Sequence, residues 1–173
     1  MQNKRGIARA FFRPPAGTIL RQATLFNVFE LSTVLIASIT QLCAKDHHNE
    51  PDHIARWSAN KDPASIRRWI SEGAQIHVIE KEGHIAGVGA ITHVRWINLL
   101  YMSPEFVGAG LGKLLLRHLE HLLAQSGHIV ARLDATRAAF GFYESQGWNA
   151  DGAPKYWNGI PQFPMRKSLH PVD

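Results

Sequence analysis

The chain has 173 residues, enough for one domain with its own core, and its 45% apolar content excludes a chain that is disordered throughout. The net charge of +5, with ten histidines left uncounted, suits a phosphorylated ligand, but Lys and Arg are scattered and form no stripe of the kind that tracks nucleic acid. A single cysteine, Cys43, excludes an internal disulfide, reads as a small buried apolar residue and leads to an expected cytoplasmic location.

Residues 1–16 hold Lys4, Arg5, Arg9 and Arg13 with no acidic residue, and they read as a flexible basic tail ahead of one domain over 17–173. They lack a sustained apolar run, so secretion is not expected. Residues 18–22 predict a short strand. Leu25, Val28, Phe29, Ser32, Leu35, Ile36 and Ile39 then recur at helical spacing, which predicts a long helix to about residue 44. Its most apolar part, 31–44, is interrupted by Ser32, Thr33, Ser38, Thr40 and Gln41 and reads as too short and too polar to span a bilayer. Residues 45–53 read as a polar connection. Asp46, His47, His48, Glu50, Asp52 and His53 offer ligand-type side chains there, but a polar loop does not make them converge, so no metal is expected. A helical region follows around 54–58. Asp62 as N-cap and Pro63 at the first helical position open another helix, which carries Ile66, Trp69 and Ile70 and stops at Gly73.

Residues 75–80 and 84–91 predict two strands joined by a tight turn at Glu82 and Gly83, and 95–102 predict a third. A helix over 111–125 has Leu111, Leu114, Leu115, Leu119, Leu122 and Leu123 as its apolar stripe and Gly127 as its stop. His118 and His121 on it are expected at the surface or its boundary. A strand over 128–133, a helix over 138–146 ended by Gly147, and one or two strands finishing near 163–169 complete the chain. Trp148, Tyr156 and Trp157 are expected in the core or a pocket wall. The order β-α-α-β-β-β-α-β-α-β predicts an α/β (α+β layered) fold with a mixed, mainly antiparallel central sheet flanked by helices.

The segment of greatest chemical interest joins the third of those strands to the leucine-rich helix. Gly108, Gly110 and Gly112 stand at alternate positions, so bare backbone N–H groups and the positive end of a helix dipole face one spot that suits phosphate. Two common phosphate loops fail on spacing. A Walker A loop needs Ser or Thr after its lysine and four residues between its first glycine and the Gly-Lys pair, whereas Leu114 follows Lys113 and only three residues stand between Gly108 and Gly112. The dinucleotide pattern G-x-G-x-x-G does not match this register either.

A second segment stands about thirty residues on, with Thr136, Ala139, Phe142, Tyr143, Glu144, Gly147 and Trp148 in the pattern [N/S/T]-x-x-A-x-x-F-Y-E-x-x-G-[F/W]. With Val107-x-x-Gly110-x-Gly112 read against [Q/R]-x-x-G-x-[G/A], the two segments together resemble the GCN5-related N-acetyltransferase (GNAT) superfamily. The resemblance is clear over 84–169 and present in outline over 18–83. Val107 departs from it, standing where the family has Gln or Arg.

The resemblance implies the GNAT acyl-CoA N-acyltransferase fold and acetyl-CoA as co-substrate. It places the coenzyme A pyrophosphate on the loop of Val107, Gly108, Ala109, Gly110, Leu111, Gly112 and Lys113. The pantetheine arm would lie beside Leu100, Tyr101 and Met102, on a strand that splays from the next parallel strand and leaves a wedge. Thr136, Ala139 and Phe142 would border the same site, and Tyr143 would be the general acid that gives a proton to the departing thiolate. His47 and Trp57, with Trp96 and Asn98 on the strand, are candidate acceptor contacts. No base stands on that strand; His93, Glu105 and Asp134 flank it, and a low-pKa amine or a water relay would serve instead. The activity implied is transfer of an acetyl group to a primary amine of a small molecule in a ternary complex. A protein N-terminus or lysine as acceptor, and a non-catalytic CoA-binding module, are the alternatives. Neither nucleic acid nor a membrane is an expected partner, and a homodimer is left open.

Overall fold

Four strands, β1 (Thr18–Gln22), β2 (Gln75–Lys81), β3 (His84–Ile91) and β4 (Ile97–Met102), pair in that order as an antiparallel sheet in the computed structural model, which describes residues 14–92 and 95–170. Most of the expected basic tail, residues 1–13, and His93 lie outside the described residues. The β2–β3 hairpin turns on Glu82 and Gly83, at φ 53° and 84°. Positive φ at both turn positions matches the right-handed twist of the strands it joins. The second sheet is built on β8 (Ile160–Ser168), which pairs antiparallel with β5 (Val130–Ala135), β6 (Asn149–Ala150) and β7 (Lys155–Trp157). One parallel bridge, Trp96 to Arg132, connects the two sheets. It supplies the mixed character expected of the sheet.

The helices follow from where the apolar side chains go. Successive strand residues point to opposite faces. Ile76, Val78, Val88 and Ala90 join Leu31, Leu35 and Ile66 in a core under α1 (Val28–Leu42) and α4 (Pro63–Ser71). On the other face Ile79 and Ala86 meet Leu111, Leu114 and Leu115 of α5 (Leu111–Gln125). Each fully buried Leu or Ile contributes about 1.5–3 kcal/mol, so these three helices are fixed by their stripes rather than by propensity. The approach of α5 is close: a Cβ on Gly89 would stand 2.6 Å from Leu119 Cδ1. A third cluster, including Leu133, Tyr143, Trp148 and Met165, packs α5 and α6 (Phe140–Ser145) against the second sheet.

Several boundaries differ from the sequence reading. The first helix ends at Leu42 and is followed by a one-turn helix, α2 (Ala44–His47), which His48 stops in the left-handed region at φ 51°. Helix α3 (Pro51–Ser58) begins within the expected polar connection, with Pro51 as its first residue. Proline there lacks only an N–H that a first turn leaves unused. β5 starts two residues later than expected, and the C-terminal segment makes three strands. Trp148 is buried and donates its indole N–H to Glu120, 2.8 Å, whereas Tyr156 and Trp157 are 75% and 40% exposed on β7 rather than in the core. The sequence reading also underrates the first helix. A 3₁₀ turn (Leu25–Asn27) extends it, so Leu25–Leu42 is 18 residues at mean hydropathy 1.5, long and apolar enough to cross a membrane by length and composition. In the fold its face of Leu31, Leu35 and Ile39 is buried, and Phe26 and Phe29 point outward.

Candidate active site

β4 and β5 run side by side at the Trp96–Arg132 bridge and share no other pairing. With β3 bonded to one edge of β4, its other edge faces the gap. A cleft of about 500 Å³ fills this wedge. Its floor is β4, with Leu100, Tyr101 and Met102, and its far wall is Leu133 and Asp134 of β5. Val107, Gly108, Gly110, Gly112 and Lys113 close one end, and Thr136, Ala139, Phe142 and Tyr143 form the side beneath α6.

The loop has the local structure its glycines predict. Gly108 and Gly110 sit at φ 84° and 77°, a region that disfavours any side chain, and Gly110 is the residue that caps α5. Its carbonyl accepts from Leu114 N at 3.3 Å, the first bond of the helix. The amides of residues 108–113 find no acceptor among the described residues. Those of Gly108, Gly110, Gly112 and Lys113, which line the cleft at the positive end of a 15-residue helix, form a ready anion site. At Gly112 a Cβ would stand 3.5 Å from Met102, an ordinary contact, so α5 starts against β4 without steric need of a glycine there.

Tyr143 is 6% exposed, and its ring stands edge-on between Phe142 and Trp148 at 5.3 and 6.0 Å between centroids. Its hydroxyl bonds to no described group and lies on the cleft wall. Burial, and then nearby Tyr101 and Cys43, raise its affinity for its proton above that of an ordinary phenol. Tyr101 lines the same cleft, but Trp57 Nε1 donates to its hydroxyl at 3.1 Å. Burial pushes the Tyr101 phenol up to about 12, the Trp57 bond opposing and Cys43 and Asp46 adding. Cys43 also reaches the cleft as a thiol that burial, aided by Asp46, pushes up to about 12, so it behaves as a small apolar residue.

Asp134 is the carboxylate among the described residues on the cleft wall. Lys155 Nζ lies 3.3 Å from its Oδ1 and also stands over the Trp96 ring at 5.3 Å. Asp46, 2% exposed, closes the arrangement from the other half of the chain. Its two oxygens accept from Arg137 N at 2.6 Å and Ala138 N at 3.1 Å, while Thr136 Oγ1 accepts from Ala139 N at 3.1 Å. The turn that carries Thr136 into α6 is therefore held by a carboxylate 91 residues earlier.

Most residues singled out from sequence thus meet in one cleft, and some do not. Ala109 is absent from its wall, and Leu111 is buried in the core. His47, expected at an acceptor pocket, is fully buried away from the cleft: its Nε2 donates to Ile39 O at 2.9 Å and its Nδ1 accepts from Asn49 N at 3.0 Å. Both nitrogens are used, which makes it a latch on the end of α1. Trp57 acts through Tyr101, and Trp96 packs under Lys155. Glu105 lies in an exposed turn off the cleft wall. Asn98 does line the cleft. The β3–β4 register slips between Ala90↔Leu99 and Ile91↔Ile97, so Asn98 is the extra residue of a bulge. Ser38 and Leu42 also line the cleft and were not foreseen; a serine inside an apolar helix was their one signal. Among the described residues no three His, Cys, Asp or Glu side chains converge as metal ligands.

Comparison with known proteins agrees with this fold. A family model described as an acetyltransferase (GNAT) domain matches residues 37–169, more than half of the chain. A GCN5-related N-acetyltransferase from Rhodopseudomonas palustris superposes with a TM-score of 0.79 at 25% identity, over 89% of this chain and 97% of that one. The PaiA N-acetyltransferase of Thermoplasma acidophilum, solved with coenzyme A, gives 0.75 at 19% identity over 88% and 99%. YncA of Salmonella typhimurium, solved with acetyl-CoA, gives 0.61 at 16% over 90% and 96%. No curated protein sequence matches.

Proposed function

The chain belongs to the acetyltransferase (GNAT) domain family, and from that premise we propose that it moves the acetyl group of acetyl-CoA to the primary amine of a small molecule, both bound at once. The observation that carries this reading is the row of unpartnered amides over residues 108–113, opening onto a cleft whose wall holds an unbonded tyrosine hydroxyl.

The residues present fit the co-substrate. The loop amides would hold its diphosphate, with Lys113 adding positive charge. Leu100, Tyr101 and Met102 offer the open edge of β4 to an extended amide-bearing arm, as a sheet edge accepts a strand. When bound, acetyl-CoA supplies an activated thioester. A main-chain N–H on that edge polarises the carbonyl, and a preorganised donor of this kind is worth about 10²–10³ in rate. Tyr143 keeps its proton across the neutral range and gives it to the leaving sulfur. Asp134, across the wedge, accepts the proton the amine gives up, directly or through water.

The test is thiol release from acetyl-CoA with a broad panel of amines. Amine-dependent release that falls about 10²-fold or more in Asp134→Asn supports the reading. Tight CoA binding with no turnover on any amine, protein N-termini and lysines included, would overturn it.

A further inference from the structure

A second cavity of about 520 Å³ lies on the α4 side of the first sheet, and the Cleft-lining Asn98 also lines it. Its walls come from the α3–α4 turn, with Asn60 and Lys61, from Trp69 on α4, and from the ends of β2 and β3, with Gln75 and Thr92. Two groups on these walls lack what a finished protein interior provides. Lys61 is 7% exposed and forms an ion pair with none of the described carboxylates. Its ammonium donates to Asn60 Oδ1 and stands over the Trp69 ring at 5.5 Å. The adjacent carboxylate, Asp62, is committed to Ser65 N and Oγ at 3.0 and 2.6 Å. Burial lowers the hold of Lys61 on its proton, the sign of a cation without a counter-charge. Thr92 Oγ1 is buried and bonds to none of the described residues. A buried hydroxyl and a buried ammonium on one cavity are a donor pair awaiting an acceptor.

We propose that this cavity seats an anionic group of the acceptor, a carboxylate or a phosphate, against Lys61 and Thr92, so that the preferred substrate is a small amine bearing a negative charge. The inference rests on the acetyl-transfer reading for what the anchored molecule does, and on the second cavity alone for what it binds. Asn98 connects the two. The bulge puts one residue on both walls, and at about 3.3 Å per strand residue it stands roughly 7 Å along β4 from Leu100. An acceptor reaching past Asn98 would keep its anion at Lys61 and carry its amine towards the cleft. Glu72, an exposed carboxylate, also lines the cavity and would repel an anion seated beside it, which favours a seat at Lys61.

The kinetic arm compares amino acids and aminoalkyl phosphates with amino-acid amides and plain alkylamines as acceptors. Anionic acceptors are expected to lead their neutral counterparts by about tenfold or more in kcat/KM, with the carboxylate and phosphate series separating the two anions. Lys61→Met is expected to erase that lead by raising KM for the anionic acceptors, while acetyl-CoA affinity shows that the variant is folded. Equal use of neutral and anionic acceptors, or a lead that survives Lys61→Met, overturns the proposal. The binding arm needs no turnover. The Trp69 indole signal of the full chain, labelled with ¹⁵N-tryptophan and assigned with Trp69→Phe, is followed during titration with N-acetylglycine, its amide, and phosphoethanolamine. A saturable shift with the anionic probes alone, weakened in Thr92→Val and lost in Lys61→Met, supports the subsite even if no amine is acetylated, an outcome that removes the acetyl-transfer reading instead. No shift in the unaltered protein removes the subsite.

Discussion

The two sides of the wedge are built in different ways. The side proposed to hold the coenzyme is made of backbone: glycines at positive φ, unpartnered amides at the start of α5, and the free edge of β4. The opposite side is made of side chains brought together from distant places, such as Asp46 on the Arg137 and Ala138 amides and Trp57 on the Tyr101 hydroxyl. A backbone site recognises a charge pattern common to every CoA thioester and tolerates drift in side chains. A side-chain site can be retuned one residue at a time. Under that proposal the loop can keep its geometry with Val107 standing where the family resemblance implies Gln or Arg.

Substitutions on each side should therefore fail differently. The largest effect is expected for Tyr143→Phe, which removes one hydroxyl and no packing: kcat falls about 10²–10⁴-fold with acetyl-CoA affinity nearly unchanged, read by steady-state kinetics and calorimetry. Because burial raises the Tyr143 phenol above its ordinary range, the unaltered enzyme should show no alkaline loss of rate from this group up to about pH 10, the usual phenol value. Full activity in the variant would remove Tyr143 from the acid role. Gly110→Glu tests the backbone side. A side chain at φ 77° strains the cap, and a carboxylate opposes the diphosphate, so CoA affinity should drop by about 100-fold or more in a titration. Unchanged affinity would mean that the loop does not hold the coenzyme.

Asp46→Ala joins the two sides in one experiment. It removes the acceptor of two part-buried amides in the turn before α6, which should lower stability by about 1–2 kcal/mol in denaturant unfolding and reduce kcat through a misplaced Tyr143. Asp46→Asn keeps one acceptor and should lose less. The smallest effect concerns His77 and His118, whose rings meet at 3.1 Å between Nδ1 and Nε2 beneath α5. Burial, and then His118, hold the His77 imidazole down to about 4. An unfolded chain takes up that proton near pH 6.5, so this pair removes stability as pH falls from about 6.5 towards 4. His77→Gln should make the fall in Tm between pH 7 and 5 shallower by a few °C at most, checked by thermal melts of both proteins. Identical slopes would show that the pair does not couple folding to pH.

The same contrast explains what could be read from the sequence. The loop, α5 and the β2–β3 turn are local: glycine spacing, a leucine stripe and a Glu-Gly pair state them within a few residues. The wedge is not local, because it depends on β4 and β5 meeting at Trp96 and Arg132 and nowhere else. His47 looked available because its stretch is polar, yet its two ring nitrogens take Asn49 N and Ile39 O and so bury it. Pro51 carried a helix start that the surrounding charges concealed. Asn98 stands in a strand whose alternation places it on one face, and the slip opposite Ala90 and Ile91 puts it on two cavities. Asp46 had no readable role, since its partners are more than 90 residues away.

The claim on which the rest depends is that main-chain amides of one loop hold the coenzyme. Amide-resolved NMR of the folded chain during titration with CoA tests it most directly. The account requires saturable shifts and slowed exchange at residues 108–113 and at Leu100, Tyr101 and Met102. Saturable binding that leaves those amides unperturbed, or no binding at all, would contradict it.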